Sequence, residues 1–160
     1  MATTFELISA VTVGSGGAAT IDFTSIPSTF TDLCIKISAL GNQTEGMYLQ
    51  FNSSSADFTG RYLIGDGSTV TSGVLARYAG SIKNLATTPN NTEIYIPNYA
   101  GSTNKSFSVD NVQEDNVTLA YQNLIAGLWS NTAAITGIKI EAATSFRQYS
   151  TAYLYGVKNA

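Results

Sequence analysis

Asp32-Leu-Cys-Ile-Lys-Ile-Ser-Ala39 decides how the chain is read. Leu33, Ile35, Ile37 and Ala39 fall on one side of a two-residue period, and Cys34, Lys36 and Ser38 on the other, which is the pattern of a strand and not of a helix. The same alternation recurs on both sides of this stretch, interrupted by turn residues at intervals near the roughly 8–12 residues typical of sandwiches and barrels. Towards the N-terminus, residues 4–13 are read as a strand ended by Gly14-Ser-Gly-Gly17, and residues 19–23 as a second, with Ile21 and Phe23 on one face. Towards the C-terminus, residues 47–52 place Met47, Leu49 and Phe51 inward, residues 52–56 make a turn or a single helical turn, and residues 61–64 form a short strand closed by Gly65-Asp-Gly-Ser68. Residues 68–79 are read as a loop with a weak strand, and residues 93–96 as a strand stopped by Pro97. Residues 105–110 turn Phe107 and Val109 inward, while residues 117–129 are expected to break around Gln122 and Asn123, with the better strand at 124–130. Residues 136–142 and 151–157 complete the set. The expectation is all-β: a jelly-roll-like β-sandwich of two antiparallel sheets, in one domain over residues 1–160.

Composition agrees with that reading and narrows the function. Charged residues make up only 12% of the 160 residues, against about 25% in an ordinary soluble chain. Their place is taken by 20 Thr, 17 Ser and 12 Asn, which favour strands and turns. A net charge of −3, with eight cations scattered between Lys36 and Lys158, gives no basic footprint for nucleic acid and no polybasic segment for a membrane surface. Without histidine the chain has no Ser-His-Asp or Cys-His catalysis, no His-ligated zinc and no imidazole switch. The single Cys34 makes no intrachain disulfide or Cys-rich metal site, and no cofactor is expected. Residues 1–8 lack a basic start before their apolar run, so no secretory signal is expected, and no apolar run approaches a spanning helix.

The candidate chemistry is thin. Gly14-Ser-Gly-Gly17 lacks the Lys of a phosphate loop and leads into a strand. Asp57, Asp66, Asp110, Glu114 and Asp115 are the loop carboxylates from which a glycosidase pair or a calcium site would be drawn, but sandwich loops use such residues as turn formers, and no enzyme is expected. Five Asn-x-Ser/Thr matches, at Asn42, Asn52, Asn90, Asn104 and Asn116, are discounted in a chain so rich in Ser and Thr. Cys34, opposite the Leu33 face, is read as an inert thiol under a second layer or at a contact. The clearest signal lies in strands with no wet face: Ala152 and Leu154 oppose Tyr153, Tyr155 and Val157, while Leu124, Ala126 and Leu128 oppose Ile125 and Trp129. Tyr153, Tyr155, Val157 and Trp129 are therefore the expected interface with neighbouring subunits or a lattice partner, since aromatics are enriched and charges depleted at interface cores.

Several blocks resemble, in order, small virion proteins of tailed bacteriophages: Phe5-Glu-Leu-Ile8, Ile21 to Pro27, Leu33-Cys-Ile-Lys-Ile37, Leu49-Gln-Phe-Asn52, Tyr62 to Gly67, Ile96-Pro-Asn-Tyr99, Gly127 to Thr136 and Ala152 to Lys158. The resemblance implies a jelly-roll-like sandwich displayed on the head or tail of a virion assembled in the bacterial cytoplasm, with no catalytic motif. The chain lacks the shaft or repeat region of a long fibre, which favours a capsid decoration or cement protein. The expected partners are further copies of the chain, with a homotrimer put forward, and the major capsid or other virion proteins. The alternative is a receptor- or glycan-recognition module on the tail or head, using loop tips with Asp66 and Tyr99 and aromatic platforms from Tyr78, Tyr95 and Tyr99.

Overall fold

Residues 32–39 form a strand with the bounds read from their alternation, and Leu33, Ile35, Ile37 and Ala39 are all buried. The computed structural model describes residues 4–82, 88–114, 117–118 and 120–158. Among these, twelve strands follow in chain order: β1 Phe5–Thr12, β2 Ala18–Phe23, β3 Asp32–Ala39, β4 Glu45–Phe51, β5 Phe58–Gly65, β6 Val70–Val74, β7 Tyr78–Ile82, β8 Asn90–Ile96, β9 Lys105–Glu114, β10 Ala120–Trp129, β11 Ile138–Phe146 and β12 Thr151–Val157. They build two antiparallel sheets, an eight-stranded one in the order β1-β12-β3-β8-β9-β10-β5-β6 and a four-stranded one in the order β2-β11-β4-β7. The chain crosses repeatedly between the two layers, so the expected two-sheet sandwich is the architecture, with an uneven division of strands that periodicity does not encode.

The core is the pair of inner faces. At one end it is aromatic: Phe51 of the small sheet lies 5.3, 5.8 and 5.6 Å, between ring centroids, from Phe58, Phe107 and Trp129 of the large one. Phe107 fits there because its cross-strand partner is Gly127, over which its ring lies; a Cβ at that glycine would sit 2.0 Å from the ring. At the other end the inner face turns polar without leaving the strand period. β9 buries Lys105, Phe107, Val109, Asn111 and Gln113 in strict alternation, and β10 buries Asn123 opposite Asn111. Asn111 Oδ1 accepts from the Ser81 backbone N–H at 3.1 Å, and Asn111 Nδ2 donates to the Ser81 carbonyl at 3.2 Å and to Thr92 Oγ1 at 2.7 Å. The amide thus imitates a neighbouring strand for β7. That approach requires Gly80, whose φ is +94° and whose Cβ, if present, would lie 2.6 Å from Asn111.

This amide layer corrects the expected break at Gln122 and Asn123. β10 runs unbroken through both, because Asn123 pairs with Asn111 inside the core instead of marking a turn. The weak strand expected in residues 68–79 is β6, with β7 beginning at Tyr78. Asp115, Asn116 and residues 1–3 of the N-terminal reading lie outside the described residues.

Candidate functional site

The outer faces of the two sheets differ in kind. On the small sheet, Asp22 and Lys139 form an ion pair, and Glu141 accepts from Arg77 at 2.9 Å while the Arg77 guanidinium covers the Tyr48 ring, an ordinary wet surface. The Arg77 bond holds the Glu141 carboxyl below its usual range.

The outer face of the large sheet is read directly from strand register. One row runs Leu7, Tyr155, Cys34, Tyr95, Ser108, Ala126, Arg61, Val74. The next runs Ala10, Tyr153, Lys36, Glu93, Asp110, Leu124, Leu63, Ser72. The Lys36–Glu93 ion pair crosses the middle of this face and separates two apolar regions. The first lies at the β1 edge, where Phe5, Leu7 and Tyr153 are exposed and the Phe5 ring meets Tyr155 edge-on at 6.4 Å. The second lies over β9, β10, β5 and β6, where Leu63, Val74, Val112 and Leu124 are exposed. Small residues between them, Ser108, Ala126, Ser72 and Gly73, leave a depression of about 630 Å³, with Arg61 on one flank and Asp110 on the other. β6 is also an edge strand without charge or proline, Val70-Thr-Ser-Gly-Val74, and so lacks the usual guards against strand addition.

The expected interface residues divide. Tyr153 and Tyr155 lie on this outer face, Tyr153 exposed and Tyr155 partly so. Val157 has the same parity but is buried, set between Phe5 and Asp32 in the ladder. Trp129 is corrected outright: it points into the core, stacked on Phe58 at 6.1 Å, because it shares the parity of Ile125 and not of Leu124. Cys34 belongs to the outer face yet is buried, flanked by Tyr155 and Tyr95 in adjacent strands, and burial raises its thiol pKa.

The expected recognition residues fare unevenly. Asp66 is partly exposed in the β5–β6 turn, but its carboxylate serves that turn: Oδ1 accepts from the Ser68 and Thr69 backbone N–H groups and the Ser68 hydroxyl, and Oδ2 from the Thr69 hydroxyl. These bonds, the Thr69 backbone first, hold its carboxyl well below the usual range. Tyr99 is corrected: it is wholly buried, and its hydroxyl donates to the Pro27 carbonyl. Tyr78 is buried in the core, and the Tyr95 hydroxyl donates to Asp32 at 2.6 Å. Among the described carboxylates, Asp57, Asp66, Asp110 and Glu114 are spread over the β4–β5 connection, the β5–β6 turn and β9, and no group of three His, Cys, Asp or Glu side chains gathers as a metal site.

Leu63, Val74 and Val112 were not legible as site residues. Val112 lies beyond the expected end of its strand, and Val74 falls in the segment read as a loop with a weak strand; alternation with Ser72 and Asp110 is the signal that marks the two valines. No family model, curated protein or solved structure matches the chain.

Proposed function

We propose that the protein is a non-enzymatic virion structural protein of a tailed bacteriophage, a capsid decoration or cement protein that binds the capsid surface as a homo-oligomer. The observation that carries the reading is the outer face of the large sheet, where Phe5, Leu7 and Tyr153 at one end and Leu63, Val74, Val112 and Leu124 towards the other stand exposed in two apolar regions on either side of the Lys36–Glu93 pair. Exposed apolar regions of this kind mark association surfaces, and an uncharged edge strand beside one adds to the case. The block-by-block sequence resemblance supplies the setting.

On this reading the β1 end, with Phe5, Leu7, Tyr153 and Tyr155, seats on the major capsid protein. Burial of those side chains between capsomers adds binding free energy across joints loaded by packaged DNA. The recognition alternative has less support, because Tyr78 and Tyr99 lie inside the core and offer no platform for a sugar ring. The test is add-back. Purified protein supplied to heads assembled without it binds saturably and restores their resistance to heat and osmotic shock. Failure to bind heads, with binding to host cells or glycans instead, overturns the reading.

A further inference from the structure

We propose that the β9-β10-β5-β6 face binds a second copy of this chain in a two-fold contact centred on Leu124 and Ala126. This deepens the homo-oligomer part of the function proposed above and rests on reading the outer face as a covered surface; it does not depend on the capsid. Three observations choose the occupant.

The first is charge. Arg61 and Asp110 stand on opposite sides of β10, Arg61 beside Ala126 on β5 and Asp110 beside Leu124 on β9. Both are exposed, and among the described residues neither makes an ion pair within its own chain. The Arg61 guanidinium donates to the carbonyl of Gly60 at 3.1 Å. Arg61 and Asp110 flank the depression from opposite sides, with Glu114 outward at the far end of β9, so a two-fold axis in the plane of the face and across the line that joins them brings each Arg61 to the other copy's Asp110. The second is shape. Under that rotation Leu63 and Leu124, neighbours across β5 and β10 on the rim of the depression, lie along the axis, so each leucine of one copy meets the other leucine of its partner. The third is size. Four strands at about 4.8 Å spacing and about eight residues at about 3.3 Å rise give roughly 500 Å² of sheet per copy. The pair then reaches about 1,000 Å², the lower bound of a specific interface. The same face is isologous, so it closes on itself and ends at a pair.

The test is sedimentation of the full chain with charge-reversed variants. The wild-type chain sediments at twice its 16.9 kDa mass at micromolar concentration. Arg61→Asp and Asp110→Arg each place like charges at both junctions of the pair and weaken association by at least about tenfold. Mixed in equal amounts, the two variants restore it, because every junction between them is again opposite in sign. A fold defect in either variant gives no such rescue, and neither does an attraction confined to one chain. A wild-type monomer or trimer, variants that still pair, or a mixture that stays monomeric overturns the proposal. Pairing that persists in a protein unable to bind heads refutes the capsid reading and leaves this contact standing.

Discussion

At the scale of single residues, the fold depends on a few polar side chains placed where alternation calls for apolar ones. Asn111 is the centre of the inner polar layer, serving the Ser81 backbone, Thr92 and Asn123 at once. Removing it strands several buried groups, each worth about 1–3 kcal/mol when left unpaired, so Asn111→Ala is expected to lose about 3 kcal/mol in urea unfolding. A loss under about 1 kcal/mol would show that the layer is not holding β7 in place. Tyr95 makes a second residue-scale prediction. Its hydroxyl bond to Asp32, aided by burial, pushes its pKa from 10.0 to about 12. The folded value is the higher one, so the contribution is complete below pH 10 and is lost as pH rises through about 12. The stability difference between wild type and Tyr95→Phe is expected to shrink over that window and to stay constant between pH 6 and 8. A difference independent of pH throughout would refute the assignment. Sequence reading sees neither role, because an inward Asn reads as a strand end and a Tyr reads only as amphipathic.

At the scale of elements, legibility followed apolar alternation. The strand at residues 32–39 carries it cleanly, the one at 151–157 is apolar on both faces, and both have the bounds expected from the sequence. The strand at Lys105–Glu114 was cut short at Asp110 because its inward positions change from Phe107 and Val109 to Asn111 and Gln113, which keep the period but lose the hydrophobicity. The same physics misplaced Trp129: its neighbour Leu128 is equally apolar, and only the register with Lys105 and Phe58 decides which side faces the core. The union of β9 and β10 also depends on Gly127 beneath the Phe107 ring. Gly127→Ala forces that ring from its site and is expected to cost about 1–3 kcal/mol, with a changed near-ultraviolet circular dichroism signal from the Phe51, Phe58, Phe107 and Trp129 cluster. An unchanged spectrum with unchanged stability would mean that the ring does not rest on the glycine.

At the scale of the whole molecule, the exposed apolar side chains have a location. Both sheets carry ion pairs outside, but the eight-stranded one also gathers Phe5, Leu7 and Tyr153 at one end and Leu63, Val74, Val112 and Leu124 near the other. The sequence showed that some surface lacked a wet face, and it found the β1–β12 side through Tyr153 and Tyr155. Of the second region it marked only the Leu124 to Trp129 stretch, since the rest is assembled from strands whose adjacency comes from the order β9-β10-β5-β6 and not from neighbouring residues. Two apolar regions on one face, divided by the Lys36–Glu93 pair, suit a protein that holds its own copy with one and a larger assembly with the other. The most direct test is an electron-microscopy map of the assembled particle. The map is expected to show the two-sheet sandwich on the outside of the head, its Phe5, Leu7 and Tyr153 region against capsid protein and its Leu124 region against a second copy. A head without this density, or a sandwich whose large-sheet outer face stands open to solvent, would contradict it.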